Sequence, residues 1–129
     1  MNFWIYKSEP ETYSIQQLST DKKTNWNGVR NYQARNNLKL AKVKDLVLIY
    51  HSGKEKAIVG LAEISREAFP DEDWVQVEIK FKKIFQTPIL LAELKKHKTL
   101  KDIQLVKQSR LSVSSVSKTD FELIVSIGE

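Results

Sequence analysis

The chain has 129 residues, 41% of them hydrophobic, which suits one domain, since single cores occupy roughly 100 to 150 residues before chains divide. It contains no cysteine, which excludes disulfide frames, thiolate metal clusters and cysteine nucleophiles and points to a reducing cytoplasm. No run nears the roughly 20 apolar residues of a membrane-spanning helix, and the N-terminus has no signal-type pattern, so neither a membrane nor a secreted protein is expected. The net charge of +5 is unevenly placed: residues 1–74 carry +1, residues 75–101 carry +5 and residues 102–129 carry −1. A basic field attracts polyanions such as nucleic acid, although charge alone reports solubility and non-specific attraction.

Phe3-Trp4-Ile5-Tyr6 is aromatic and β-branched and predicts a short buried strand, which Lys7-Ser8-Glu9-Pro10 ends. Ser14 stands three residues before Gln17, with Ile15 and Leu18 as an inward face, so a capped short helix is expected there. Asp21 to Asn25 reads as a polar loop. Asn31 to Lys42 reads as a second helix, with Ala34, Leu38 and Ala41 at helical spacing. Leu46 to Tyr50 is a continuous apolar run of strand length, as when both faces of a strand are covered, and His51-Ser52-Gly53 closes it. Ala57 to Ile64 repeats that pattern, and Val75, Val77, Ile79 and Phe81 alternate with polar residues, so the middle of the chain reads as a β-meander. Pro88 is expected to open a helix through Leu94, with Lys95, Lys96 and Lys98 past its end. Ser117 and Asp120 again have capping spacing and start a last helix bearing Phe121, Ile124 and Val125, which Gly128 is expected to end. These elements make one α+β domain over residues 1–129, without repeats or linkers.

Catalytic signatures are scarce: there is no nucleophile elbow, no phosphate-binding glycine loop and no paired-histidine metal spacing. With His51 and His97 as the only histidines, neither a metal site nor a cofactor is expected. A serine hydrolase using Ser8 or Ser52 with His51 stays open, because triad members can lie far apart in a chain. Polar and aromatic residues do gather at strand ends and in short loops: Lys7, Ser8 and Glu9; Trp26, Arg30 and Asn31; His51 and Ser52; Arg110 and Ser112. A flat ring beside amide, hydroxyl and guanidinium groups is what recognition of an unpaired base requires, since the ring stacks on its face while donors and acceptors read its edge. Plainer readings stand beside this one. Trp26 plugs the core, Arg30 pairs with Glu9 or Glu11, His51 is a buried imidazole closing a strand, and the lysines from Lys80 to Lys101 form a solvated face.

Four segments together resemble the EVE-domain family, a PUA-like group. They are Trp4 through Pro10 with Tyr13-Ser14-Ile15, Trp26 with Gly28 through Asn36, Asp45 through Ser52, and Arg110-Leu111-Ser112-Val113. The resemblance implies a PUA-like fold, a small curved β-barrel with short helices packed around it. It also implies that Lys7, Ser8, Glu9, Trp26, Arg30, Asn31, His51, Ser52, Arg110 and Ser112 converge on one cleft. That cleft would take a modified base, such as methylated or hydroxymethylated cytosine, flipped from DNA or RNA. Trp26 would then stack on the base, Arg30 and Arg110 hold phosphate or a carbonyl edge, and Asn31, Ser8, Ser52 and His51 meet the base edge. Lys80, Lys82, Lys83, Lys95 and Lys96 would contact the nucleic-acid backbone. Lys44 stands where the family usually shows glycine and Ser115 where proline is common, so the turns there are in question.

The reading that results is a non-catalytic reader of modified nucleobases, with nucleic acid as partner and no membrane contact. An RNA-processing or base-modifying enzyme or its accessory subunit, with His51 and Ser52 as reactive groups, is the alternative, as is a small-molecule binder using the same cleft. The cytoplasm is the expected location, at the nucleoid in a bacterium, with the nucleus open to a eukaryotic protein.

Overall fold

In the first strand, β1 (Phe3–Ser8), Trp4 and Tyr6 turn to one side and Ile5 to the other, and each side meets its own apolar cluster. The structure, a computed structural model, describes residues 1–129. Strand β3 (Leu46–His51) lies parallel to β1, Trp4 opposite Val47 and Ser8 opposite His51. It repeats the division, with Val47 and Ile49 inward and Leu48 and Tyr50 outward. Both faces are covered, which is why Leu46 to Tyr50 is apolar without a break.

Antiparallel pairing joins β3 to β4 (Ala57–Asp71) and β4 to β5 (Trp74–Leu90), the meander the pattern predicts, although both β4 and β5 run further than their apolar cores. Strand β2 (Lys23–Trp26) adds to β5, and β6 (Val113–Val116) adds to β1, giving one six-stranded sheet in the order β2-β5-β4-β3-β1-β6. Register shifts in the β4–β5 ladder around Gly60, Ala62 and Arg66 bend it. The sheet is curled and not closed: β2 and β6 are its two edges. The expected curved barrel is thus present as a curl without closure.

The curl encloses a cluster containing Trp4, Tyr6, Ile15, Leu18, Trp26, Leu38, Ile49 and Ile79. Two helices cap it. In α1 (Ile15–Asp21) the Ser14 hydroxyl accepts from the Gln17 N–H at 3.0 Å, as the spacing predicts. Ile15 is seated on Gly60, where an added Cβ would meet Ile15 Cγ1 at 2.8 Å and the Lys83 carbonyl at 2.6 Å. In α2 (Tyr32–Leu40) Asn31 is the N-cap, and Ala34 and Leu38 face inward. The outer cluster packs under α3 (Leu91–Lys96), a 3₁₀ turn at Leu100–Asp102, α4 (Gln104–Lys107) and α5 (Lys118–Gly128).

Several boundaries differ from the sequence expectation. Asp21 to Asn25 is not all loop, because Lys23 to Asn25 pair with Glu78 to Lys80 as part of β2. Pro88 lies within β5, in a stretch between the Ile84–Gly60 and Ile89–Ile58 pairs where no ladder partner is assigned, so its missing N–H is harmless. The helix therefore begins at Leu91, and Lys95 and Lys96 form its last turn instead of following it. The last helix does end at Gly128, as expected, and there the glycine admits the Phe85 ring: an added Cβ would sit 2.7 Å from it.

Candidate functional site

The C-terminal end of β1 delivers Lys7 and Ser8, and the turn after it holds Glu9, whose carbonyl accepts from the N–H groups of Thr12 and Tyr13 at 2.9 Å each. Opposite this turn, β2 ends at Trp26 and hands over to Asn27-Gly28-Val29-Arg30. Between them opens a cleft of about 510 Å³, within the roughly 300 to 1,000 Å³ of ordinary ligand sites. Lys7, Ser8, Glu9, Trp26, Arg30 and Ser112 all line it, joined by Thr12, Tyr13, Thr24, Asn25, Asn27, Gly28 and Val29.

Trp26 is 8% exposed and belongs to the inner cluster, so it is both a core plug and a wall of the cleft. Its ring is held between two tyrosines, Tyr6 at 5.5 Å and tilted, and Tyr13 at 6.5 Å and edge-on. Burial raises the pKa of Tyr6, whose hydroxyl has no partner, and burial is also the main cause of a raised pKa at Tyr13, which donates to Asp21 at 2.8 Å. Both therefore stand as neutral phenols beside the indole at neutral pH.

Gly28 adopts φ +78°, a left-handed conformation that glycine takes without strain, and its N–H donates to Asp71 Oδ2 at 2.9 Å. Arg30 reaches the same oxygen at 3.0 Å and Glu72 at 3.6 Å, not Glu9 or Glu11. The Arg30 hydrogen bond, then that of Gly28, holds the Asp71 carboxyl below its usual pKa, and the same pairing raises Arg30. The tip of the β4–β5 hairpin thus clamps one wall. On the other wall, Ser8 Oγ donates to the Tyr13 carbonyl at 2.7 Å, and the Lys7 ammonium donates to the Ser109 carbonyl and lies 5.6 Å from the Tyr50 ring centre. Partial burial lowers the pKa of Lys7. Chemically the cleft offers an indole wall, hydroxyls from Ser8, Thr12, Thr24 and Ser112, two amides and two cations.

The remaining candidates lie elsewhere. His51 is buried, its Nε2 accepting from the Ile15 N–H at 3.0 Å and its Nδ1 lying 2.8 Å from Glu55 Oε1. An accepting Nε2 puts the proton on Nδ1, which donates to Glu55, so both nitrogens are engaged and the ring does not line the cleft. Ser52 uses its N–H to continue β3 against Ser8 O at 3.0 Å and is also absent from the lining. Asn31 caps α2, its side-chain oxygen accepting from the Ala34 N–H at 3.0 Å. With Arg110, Asn31 lines a separate depression of about 340 Å³ that also takes in Gln33, Lys107, Gln108, Ser109 and Leu111. The two hollows abut, since Arg30 and Ser112 of one are chain neighbours of Asn31 and Leu111 of the other.

Of the five lysines expected on a nucleic-acid backbone, three hold carboxylates. Lys80 and Lys82 each lie 3.3 Å from Glu63, and Lys83 lies 3.0 Å from Glu129. Burial of Glu63 opposes its charge, but the two ammonium groups outweigh that and lower its pKa. Lys80 and Lys82 also alternate with Ile79 and Phe81, whose side chains face the inner cluster, so they point away from the side that holds Trp26. Lys95 and Lys96 are exposed on α3, over the outer cluster.

Sequence reasoning misses Thr12, Tyr13, Thr24, Asn25 and Asn27. For Thr24 the signal was the alternation of exposed Lys23 and Asn25 with inward Thr24 and Trp26, too short and polar to stand out. No three or more His, Asp or Glu side chains converge in a metal-binding group, and no helix is long and apolar enough to cross a membrane.

A curled, open α+β sheet with a polar, tryptophan-walled cleft at its strand ends defines a PUA-like binding domain. Residues 2–127 match the EVE domain, and the chain belongs to that family. Mouse thymocyte nuclear protein 1 is 36% identical over 167 residues, covering 99% of this chain and 74% of the mouse protein. The alignment is longer than this chain, so the relative carries insertions that this chain lacks. A hypothetical protein from Leishmania major superimposes with a TM-score of 0.94 at 36% identity, covering 99% of this chain and 94% of that one. Human THYN1 protein in complex with 5-methylcytosine-containing DNA superimposes with a TM-score of 0.93 at 33% identity, covering 100% of this chain and 98% of that one.

Proposed function

We propose that this protein binds a modified nucleobase, such as methylated or hydroxymethylated cytosine, flipped out of DNA or RNA into the cleft, and does not turn it over. The observation that carries this reading is the cleft itself, an indole wall ringed by hydroxyls and amides, in a chain whose fold matches that of a relative bound to 5-methylcytosine DNA. Extruding a base costs a few kcal/mol, and stacking returns roughly 1 to 3 kcal/mol. Stacking on Trp26 alone therefore breaks even, and selectivity rests on the base edge. Ser8 spends its one hydroxyl hydrogen on the bond it donates to the Tyr13 carbonyl, so toward a ligand its oxygen can only accept. An acceptor at that point suits the exocyclic amine of cytosine. Lys7 and Asn27 are donors for the carbonyl edge, and Arg30 stands at the rim for phosphate.

Recognition without turnover is supported by the bonding of the candidate nucleophiles. The Ser8 proton faces a carbonyl and no base, and His51 has no nitrogen to spare. The partner is nucleic acid, and the compartment that follows is the one that holds it, the cytoplasm and nucleoid of a bacterium or the nucleus of a eukaryote.

Fluorescence anisotropy of single- and double-stranded oligonucleotides with cytosine, 5-methylcytosine, 5-hydroxymethylcytosine or N6-methyladenine, at two salt concentrations, tests the reading. Preference for one modified strand should persist at the higher salt and be lost in Ser112→Phe, which fills the cleft without removing a core side chain. Equal binding of every strand that disappears with salt would overturn base recognition. A nucleoside product detected by mass spectrometry after incubation would overturn the absence of turnover.

A further inference from the structure

Next to the cleft, the surface carries a cluster of two rings and two guanidinium groups that the base pocket does not use. Tyr32, the first residue of α2, is 66% exposed, unusual for a large aromatic side chain with a hydrophobic core at hand. Its ring lies 5.2 Å from that of Trp74, which the β4–β5 hairpin brings over from the far end of the chain's meander. Arg35 packs its guanidinium on both rings, 4.9 Å from Tyr32 and 5.6 Å from Trp74, and Arg30 lies 5.7 Å from Trp74. Arg30 is also a wall of the cleft, so the cluster is continuous with it.

The two arginines differ in what answers their charge. Arg30 is held by Asp71 and Glu72. Arg35 has no carboxylate partner, its Nε is buried without a hydrogen bond, and its charge meets only ring faces. An exposed ring beside a cation that lacks an anion has the two halves of a nucleotide site, a face for the base and a charge for the phosphate. Arg35 locked against the rings also fixes the Tyr32 ring in place, which lowers the entropy lost when a base stacks on it.

We propose that Tyr32 and Arg35 form a second nucleotide subsite, which stacks and neutralises the nucleotide next to the one whose base enters the cleft. This rests on the base-reading function proposed above. The subsite is indifferent to base identity, since stacking uses only the π-face, and it gives a strand greater affinity than a free nucleoside.

The test compares the free nucleoside of the preferred modified base with oligonucleotides of increasing length, in the wild type and in Tyr32→Ala, Tyr32→Phe and Arg35→Gln. Strand affinity should fall about tenfold in Tyr32→Ala, within the range for one stacked base, and recover in Tyr32→Phe, with nucleoside affinity unchanged throughout. Arg35→Gln should lower the slope of log affinity against log salt by about one contact, a readout that a merely structural role does not move. Unchanged strand affinity in Tyr32→Ala, or an unchanged salt slope in Arg35→Gln, overturns the subsite while leaving the cleft's function standing. If no nucleoside binds but Tyr32→Ala still weakens the strand, the stacking surface stands and the base-reading proposal fails. If neither nucleoside nor strand binds, both fail.

Discussion

Lys44→Gly should stabilise this protein, against the usual direction of substitutions. Lys44 sits at φ +84° in the turn before β3, where a side chain with a β-carbon is strained by about 1 to 2 kcal/mol. Its side chain is exposed and makes no ion pair, so removing it forfeits little. The turn's hydrogen bonds use backbone atoms, Lys44 N–H to Ile64 O and Asp45 N–H to Lys42 O at 3.0 Å each, and survive the change. Against the relieved strain stands the greater freedom of glycine in the unfolded chain, about 0.4 to 1 kcal/mol. The net gain is about 0.5 to 1 kcal/mol. Unfolding entropy near 60 °C is about 2.1 cal/mol/K per residue, on the order of 0.27 kcal/mol/K for the chain, so the gain raises Tm by about 2 to 4 °C. Calorimetry of Lys44→Gly beside Lys54→Gly, an exposed site without positive φ, checks both the sign and its cause. Lys54→Gly should melt lower than wild type. A Tm for Lys44→Gly at or below wild type would refute the strain argument.

Asp45 is buried and accepts from the Trp4 indole N–H at 3.0 Å and from the N–H groups of Asn2 and Lys42 at 2.9 Å each. Asp45→Ala strands the Trp4 donor and should lower unfolding free energy by about 3 kcal/mol, with Asp45→Asn in between; urea melts of the two in the reverse order would exclude this network as the cause. Gly60→Ala drives a methyl into the Lys83 carbonyl and should destabilise by about 1 to 3 kcal/mol, measurable in the same melts. The pKa of Asp71 is lowered by Arg30 and Gly28, so its contribution is present above the ordinary carboxylate range and is lost as pH falls through the depressed folded value. The stability difference between wild type and Asp71→Asn should therefore shrink on acidification below pH 4; a difference constant from pH 7 to pH 3 would show that the charge on Asp71 plays no part.

What the sequence revealed, and what it hid, follows from how local each signal is. Ser14 and Ser117 cap helices through hydrogen bonds to residues three positions on, so their spacing alone announces α1 and α5, whereas α2 shows in the helical spacing of Ala34 and Leu38 and its Asn31 cap only in the structure. The apolar run from Leu46 to Tyr50 likewise states that both faces of β3 are covered. Strand β2 is hidden because only Thr24 and Trp26 face inward and its partners lie some fifty residues away. The two departures from the family pattern are resolved by contacts no local reading supplies. Lys44 keeps the left-handed turn that glycine normally makes. The Ser115 N–H, which proline would lack, donates to Gln104 Oε1 at 3.0 Å. At the site, Lys7, Ser8, Trp26, Arg30 and Ser112 were legible as strand-end polar and aromatic residues. His51 shows the limit, since its type and position suit a binding residue, while its bonds to Ile15 and Glu55 make it a brace under the start of α1.

The parallel pairing of β1 with β3 has a consequence for how the site comes into being. Parallel neighbours require a crossover connection, and here it is residues 9–45, which carry nearly all of the cleft's walls. The β3–β4–β5 meander needs only short loops to form, whereas the crossover must close over a long stretch before β1 docks. The cleft therefore assembles after the sheet's local core, and a chain stalled at the meander would have secondary structure without a site. In refolding experiments, recovery of ligand binding should lag recovery of the far-UV signal, and coincidence of the two would refute this order. Ligand binding thus serves as a probe of complete folding, and destabilised variants should lose occupancy of the cleft before they lose the sheet.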